Sequence, residues 1–271
     1  MKLTNKIVVV TGAGSGIGRA TALAFAKEGA RIAACDVDQA RLDALAQELG
    51  DRALLVRRVD VSSRAQMSAF ADEVHALVPA VDVIVNNAGV AVGGTFLETT
   101  LDDWDWLLGI NLKGVVHGCH FFIPKMVARG TGGHVINVSS IFGIYPAPNV
   151  TAYVASKFAV QGLSLSLRAE LEPHKIGVTA ICPGMINTAI ISDSRMSGPL
   201  HSRRSKLAAA FHKNGAPPSL VAKTILDAVR TNPAVRTVGR DAWAVHQLTK
   251  MAPRATSRIL SVLERRFGSR D

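Results

Sequence analysis

With 271 residues, 48% hydrophobic and 19% charged, the chain is long enough to bury one large core and has the composition of a soluble enzyme. No uninterrupted apolar run is long enough to cross a bilayer, and Cys35, Cys119 and Cys182, set far apart in apolar runs, fit packed thiols rather than disulfides or a metal site. The net charge of +10 is confined to one end: residues 1–194 carry 16 Lys and Arg against 17 Asp and Glu, whereas residues 195–271 carry 15 against 4.

The amino terminus, Met1 to Lys6, runs straight into a β-branched strand over Lys6 to Val10 without a signal-peptide pattern, and a cytoplasmic location is expected. That strand ends in Thr11-Gly12-Ala13-Gly14-Ser15-Gly16-Ile17-Gly18, and a helical pattern follows from Ala20 to Glu28, stopped by Gly29. Arg31 to Cys35 reads as a second strand closing on Asp36. This is a βαβ unit, whose crossover favours a parallel sheet. The alternation continues with helix Gln39–Leu49, strand Ala53–Arg58, helix Ser63–Leu77 and strand Val81–Val85. A long helix is predicted from about Asp102 to Arg129, then strand His134–Val138, a helix carrying Tyr153 and Lys157, strand Gly177–Ile181, helix Ser219–Arg230 and a last strand near Val235–Val238. Seven strands alternating with helices specify an α/β fold, a doubly wound seven-stranded parallel Rossmann-type sheet. It forms one domain over residues 1–240, followed by a helical extension over 241–271.

Glycines are needed where the backbone turns sharply and approaches a pyrophosphate, leaving a helix amino terminus aimed at the negative charge. Here the glycine turn follows a strand, opens a helix and has an acid at the end of the next strand, the context of a dinucleotide site. A carboxylate at Asp36 accepts hydrogen bonds from the adenine ribose hydroxyls and repels a 2′-phosphate. Ala13 and Val37 offer no cation to such a phosphate, and Arg19 is expected to face solvent. NAD is therefore favoured over NADP. Further along, Tyr153 and Lys157 share a helix face, where an ammonium favours the phenolate and fits the phenol to move a proton to or from an alcohol oxygen.

The glycine turn, together with Asn86-Asn87-Ala88-Gly89, Asn111, Ser139-Ser140, Tyr153-Val154-Ala155-Ser156-Lys157 and Pro183-Gly184, all in this order, resembles the short-chain dehydrogenase/reductase family over residues 5 to about 190. The resemblance implies a catalytic tetrad of Asn111, Ser140, Tyr153 and Lys157. Tyr153 is then the general acid/base, and Lys157 lowers its pKa and holds the nicotinamide ribose. Ser140 hydrogen-bonds the substrate oxygen beside a structural Ser139, and Asn111 holds a water in a relay from Lys157. It also implies cofactor contacts along Gly12, Ser15, Gly16, Ile17 and Gly18, at Asp36, at Asp60 and Val61 by the adenine, along Asn87, Ala88 and Gly89, and at Pro183, Gly184, Ile186 and Thr188 by the nicotinamide carboxamide. Read singly, Asn111 is also a helix cap, Ser140 a loop residue and Asp60 a strand end.

The family's substrate walls correspond to Val90–Leu97, Ile141–Val150 and a basic lid over about residues 189–215. The apolar Ile141-Phe142-Gly143-Ile144-Tyr145 stretch favours a lipophilic secondary alcohol or ketone. An NADPH-preferring carbonyl reductase and a catalytically idle nucleotide-binding scaffold are the rival functions. A homo-oligomer, tetramer or dimer, is implied through helices around Leu112–Val127 and Ala152–Leu171. In the extension, Trp243–Ala252 and Arg258–Phe267 read as two basic amphipathic helices broken at Pro253. Subunit packing and peripheral contact with an anionic membrane both fit them, and nucleic acid is not expected because no recognition module is present.

Overall fold

The computed structural model of the chain describes residues 2–251. In chain order its strands are β1 (Ile7–Thr11), β2 (Arg31–Asp36), β3 (Ala53–Arg58), β4 (Val83–Asn86), β5 (Val92–Gly93), β6 (Gly133–Val138), β7 (Ile176–Pro183), β8 (Arg195–Met196) and β9 (Val235–Val238). The helices are α1 (Gly16–Lys27), α2 (Gln39–Leu49), α3 (Arg64–Leu77), α4 (Leu101–Leu108), α5 (Gly114–Arg129), α6 (Thr151–Leu171), α7 (Gly198–Asn214), α8 (Pro218–Thr231) and α9 (Arg240–Met251). Seven strands form one parallel sheet in the order β3-β2-β1-β4-β6-β7-β9. The order reverses between β1 and β4, so a crevice opens beyond the carboxyl ends of those two strands, the usual place for a ligand in such a sheet.

Period-two alternation divides the core between the two faces. On one, Val8, Val10, Ile32, Ala34, Val83 and Val85 pack with Phe25 of α1 and Ile225 of α8. On the other, Val9, Ala33, Ile84 and Val135 pack with Phe70 of α3, Phe122 of α5 and Val160 of α6. Both faces are covered, which is why these strands read as continuous apolar runs. Cys35, Cys119 and Cys182 are buried free thiols. No helix among the described residues is long and apolar enough to cross a membrane.

Three elements differ from the sequence expectation. First, α1 begins at Gly16 rather than Ala20, because the last glycines of the turn are themselves the first helical turn. Second, the long helix predicted over Asp102–Arg129 is broken by a π turn at Gly109–Lys113. The Asn111 amide is drawn onto Val90, and Gly114 lets the chain pass against Val61, where a Cβ would stand 2.7 Å from Val61 Cγ2. Third, the stretch after Thr188 contains strand β8, paired with β5, and helix α7. The predicted Trp243–Ala252 helix corresponds to α9, and Arg258–Phe267 lies outside the described residues.

One buried group makes stability depend on pH. His134 lies on β6, with Nε2 2.9 Å from Thr179 Oγ1 of β7, which itself donates to Pro233 O at 2.6 Å. Burial, assisted by the charge of Arg168, lowers its pKa from 6.5 to about 4. The unfolded chain therefore binds the proton first as pH falls. Stability is full above about pH 7, and about 3 kcal/mol is lost as pH drops through 6.5 towards 4. Urea unfolding at about pH 7 and about pH 4.5 will show this loss, and His134→Gln will flatten most of it. An equally steep profile in the variant would assign the effect elsewhere.

Candidate active site

The glycine turn is folded against the end of β4 by hydrogen bonds to Asn87 and Ala88. Thr11 Oγ1 accepts from Asn87 N (3.0 Å) and Ala88 N (3.1 Å), while Asn87 Nδ2 donates to Thr11 O (2.9 Å) and Gly12 O (3.1 Å). Two glycines are obligatory in this packing. Gly12 has φ +62°, and a Cβ there would stand 2.7 Å from Ala88 Cα; a Cβ on Gly18 would overlap Gly12 O. Asp36 closes the outer side, its carboxylate accepting from Gly14 N (2.9 Å) and Asp38 N (3.1 Å). A glycine turn without side chains at Gly12, Gly14 and Gly16, a helix amino terminus at Gly16 and a carboxylate at the end of β2 together fit a dinucleotide.

A cleft of about 820 Å³ runs beside the turn, lined by Ser15 and Gly16 on one side and by Asn187, Thr188 and His212 on the other. Thr188 lies against Gly16. The backbone of Gly184 donates to Val238 O at 2.9 Å, just beyond Pro183 at the end of β7. The side chain of Ile186 is buried in the core, and that of Ile17 is partly buried against it. At the end of β3, Asp60 Oδ1 accepts from Ser62 N (2.9 Å) and Ser62 Oγ (2.7 Å), organising its own loop. Val61 is buried and its carbonyl lies 2.8 Å from His117 Nδ1.

Outside that cleft, at the end of β6, stand the four residues of the expected tetrad. Lys157 is buried and its Nζ donates to Val138 O at 3.1 Å, 5.6 Å from the centre of the Tyr153 ring. Ser140 hydrogen-bonds the Tyr153 hydroxyl and accepts from Phe142 N at 3.2 Å. Ser139 instead donates to Lys157 O at 2.8 Å, tying the loop to α6. Asn111 is spent on structure: its amide accepts from Val90 N (2.8 Å) and donates to Val90 O (2.9 Å) and Ser156 Oγ (3.2 Å). Both its N–H groups are used, and a lone pair on Oδ1 remains. Gly89 faces that oxygen and the lysine together, since a Cβ there would lie 3.3 Å from Asn111 Oδ1 and 3.4 Å from Lys157 Nζ.

Desolvation shifts both groups in a way that residue spacing did not reveal. Burial pushes the Tyr153 phenol up to about 12, against the opposing pull of the Ser140 hydrogen bond. Burial also lowers the Lys157 ammonium to about 8. In the chain by itself, desolvation therefore outweighs the expected lowering of the phenol by its lysine neighbour.

Phe142 belongs to the expected wall Ile141–Val150, whereas Arg41 escaped sequence reasoning. Phe142 meets the Tyr153 ring edge to face, with centroids 6.3 Å apart and planes at 84°. Arg41 packs beside Gly14 and pairs with Asp38 (3.1 Å) and Asp193 (3.8 Å). Its only signal was its place in the first turn of α2, directly after the acid-capped start. Arg19 pairs with Glu48 of α2, besides lining the cleft.

Residues 6–197 match the family model described as short chain dehydrogenase. EphD of Mycobacterium tuberculosis is 40% identical over 257 residues; the alignment covers 92% of this chain, which spans only 43% of EphD. SadH of the same organism is 36% identical over 263 residues, 94% of each chain. A short-chain dehydrogenase/reductase from Burkholderia phymatum, solved in complex with NAD, is similar in structure with a TM-score of 0.85 at 29% identity, over 92% of this chain and 94% of that one.

Proposed function

The chain belongs to the short-chain dehydrogenase/reductase family, and from that premise we propose that it is an NAD-dependent oxidoreductase interconverting a lipophilic secondary alcohol and a ketone. The observation that carries the proposal is the meeting of the Tyr153 and Ser140 hydroxyls with the buried Lys157 at the carboxyl end of the sheet, next to the glycine crevice. Nicotinamide supplies the hydride acceptor and, when oxidised, a positive charge. Everything else falls to side chains. Ser140 and Tyr153 hold the substrate oxygen from two sides, and Tyr153 passes the proton between that oxygen and its own. Lys157 stabilises the phenolate and holds the ribose. Asn111 Oδ1, facing Lys157 across Gly89, holds the relay water. The glycine turn and Thr188 take the pyrophosphate and carboxamide ends.

The lipophilic substrate is supported by the walls around Tyr153, where Val90, Val92, Trp104, Leu108 and Ala152 pack together, with Phe142 across the ring. Asp36 supports NAD; Arg41, beside Gly14, supports the rival NADPH reading, but its guanidinium is engaged by two carboxylates. Exposed Val116, Phe158 and Leu165 on α5 and α6 support a homo-oligomer formed through those helices.

A panel of lipophilic secondary alcohols, followed by the absorbance of reduced nicotinamide, tests the proposal. Turnover with NAD is expected at a kcat/KM at least about tenfold above that with NADP, and Asp36→Asn, which keeps an acceptor for Gly14 N, will erase that preference. Tight NAD binding with no turnover across the panel would reject the enzyme; better kinetics with NADP would reject the role of Asp36.

A further inference from the structure

Residues 187–215 leave the sheet after β7 and return before α8 at one stem, where Asn187 N donates to Ala216 O and Ala216 N to Met185 O, both at 2.9 Å. Beyond the stem this flap is thinly packed, for α7 contributes no buried residue. Its two edges hold it down, and they differ. On one edge β8 pairs in parallel with β5, Arg195 N donates to Ala91 O (3.1 Å) and Ser197 N to Gly93 O (2.8 Å). The Arg195 guanidinium, on a half-exposed side chain, lies 4.0 Å from the centre of the Trp106 ring and 3.2 Å from Asp103 Oδ1, whose side chain is only 15% exposed. A stacked guanidinium with a sheltered carboxylate is a stronger and more directional contact than a solvated ion pair. At the other edge the flap meets α2 through Arg41 and Asp193, 3.8 Å apart with both side chains about half exposed, a pair that solvent and salt screen.

The Arg195 contact also closes a ring of structure. Its partners lie on α4, which runs into the π turn bearing Asn111; Asn111 grips Val90, two residues before β5; and β5 pairs with β8, where Arg195 sits. We infer that Arg195 is a positioning residue that pins the flap to α4 and makes the substrate-side edge the hinge, and that the flap opens at the Arg41–Asp193 edge to exchange cofactor. The inference rests on the oxidoreductase reading for its kinetic consequences, but not for its mechanical ones.

The test uses the full chain and the variants Arg195→Met, Arg195→Lys and Asp193→Asn, each first checked for an unchanged melting profile. Arg195→Met keeps an apolar chain over Trp106 and removes the charge and the fork. Tryptic cleavage after Arg203, Arg204 and Lys206 in α7, followed by mass, is expected to quicken about tenfold. KM for the alcohol is expected to rise about tenfold with a smaller change in kcat, and NADH affinity to stay within about twofold. Arg195→Lys, which retains the pair with Asp103, should recover part of both effects. Salt is expected to speed NADH dissociation from the parent, and Asp193→Asn should instead speed it about threefold, leave KM alone, and abolish that salt dependence. Parent-like cleavage of α7 in Arg195→Met overturns the hinge, and a KM effect without an NADH-release effect in Asp193→Asn overturns the opening edge. If no alcohol is turned over by any form, cleavage and NADH release still decide the inference, while the functional reading alone is lost.

Discussion

Tyr153→Phe lowers kcat about a thousandfold or more while NADH binds within about twofold of the parent. The substitution removes one oxygen and keeps the ring, so the edge-to-face contact with Phe142 and the packing beside Lys157 persist. What disappears is the hydroxyl that shares a hydrogen bond with Ser140 and that is proposed to carry the proton. Because burial holds this phenol near 12 in the chain alone, ionising it at neutral pH requires positive charge close by. Oxidation should accordingly speed up with rising pH, and Lys157→Met should push that dependence to higher pH as well as slowing the reaction. Steady-state rates across the pH range, with NADH affinity from fluorescence, check both points. Substantial turnover by the phenylalanine variant would remove Tyr153 from the chemistry.

Gly18→Ala is the second large effect, and it acts on the cofactor rather than on the reaction. The added methyl would overlap Gly12 O and stand 2.5 Å from Asn87 Nδ2. Neither neighbour is free to retreat, because Asn87 Nδ2 already bonds Thr11 O and Gly12 O, and Thr11 Oγ1 holds the next two amides. The strain must move the first turn of α1 away from β4, which spoils the pyrophosphate seat. A fall in NADH affinity of about a hundredfold is expected, with a stability loss of about 1–3 kcal/mol from overpacking. Gly50→Ala is the control, since nothing lies within 4 Å of a Cβ there and only its φ of +50° adds strain. It should cost stability but leave NADH affinity unchanged. If Gly18→Ala binds NADH like the parent, the turn is not the cofactor seat.

The helix Gln39–Leu49 and the strands Ala53–Arg58 and Val235–Val238 occupy the residues that periodicity alone indicates. Their patterns are local and their ends are marked by capping residues, such as Asp38, which accepts from Arg41 N. The glycine turn was legible for a related reason, since its conformation is written in the residues that adopt it. The π turn was not, because it depends on Asn111 reaching Val90, 21 residues earlier in the chain. Strands β5 and β8, two residues each, are too short to leave a periodic trace. The Tyr153–Lys157 spacing correctly brought two groups to one face of α6, but spacing carries no information about dielectric surroundings. Only the desolvation of the phenol, beside a buried Lys157, reveals that its pKa is raised.

The stem at Ile186 and Ala216 has an evolutionary consequence. A segment that departs and rejoins at the same point is a side branch of the fold, and changing its length costs only a slowly growing closure entropy. The spacing of β7 and α8 is indifferent to what is strung between them. Selection can therefore lengthen or rebuild this branch while Tyr153 and Lys157 on α6 inherit none of the change.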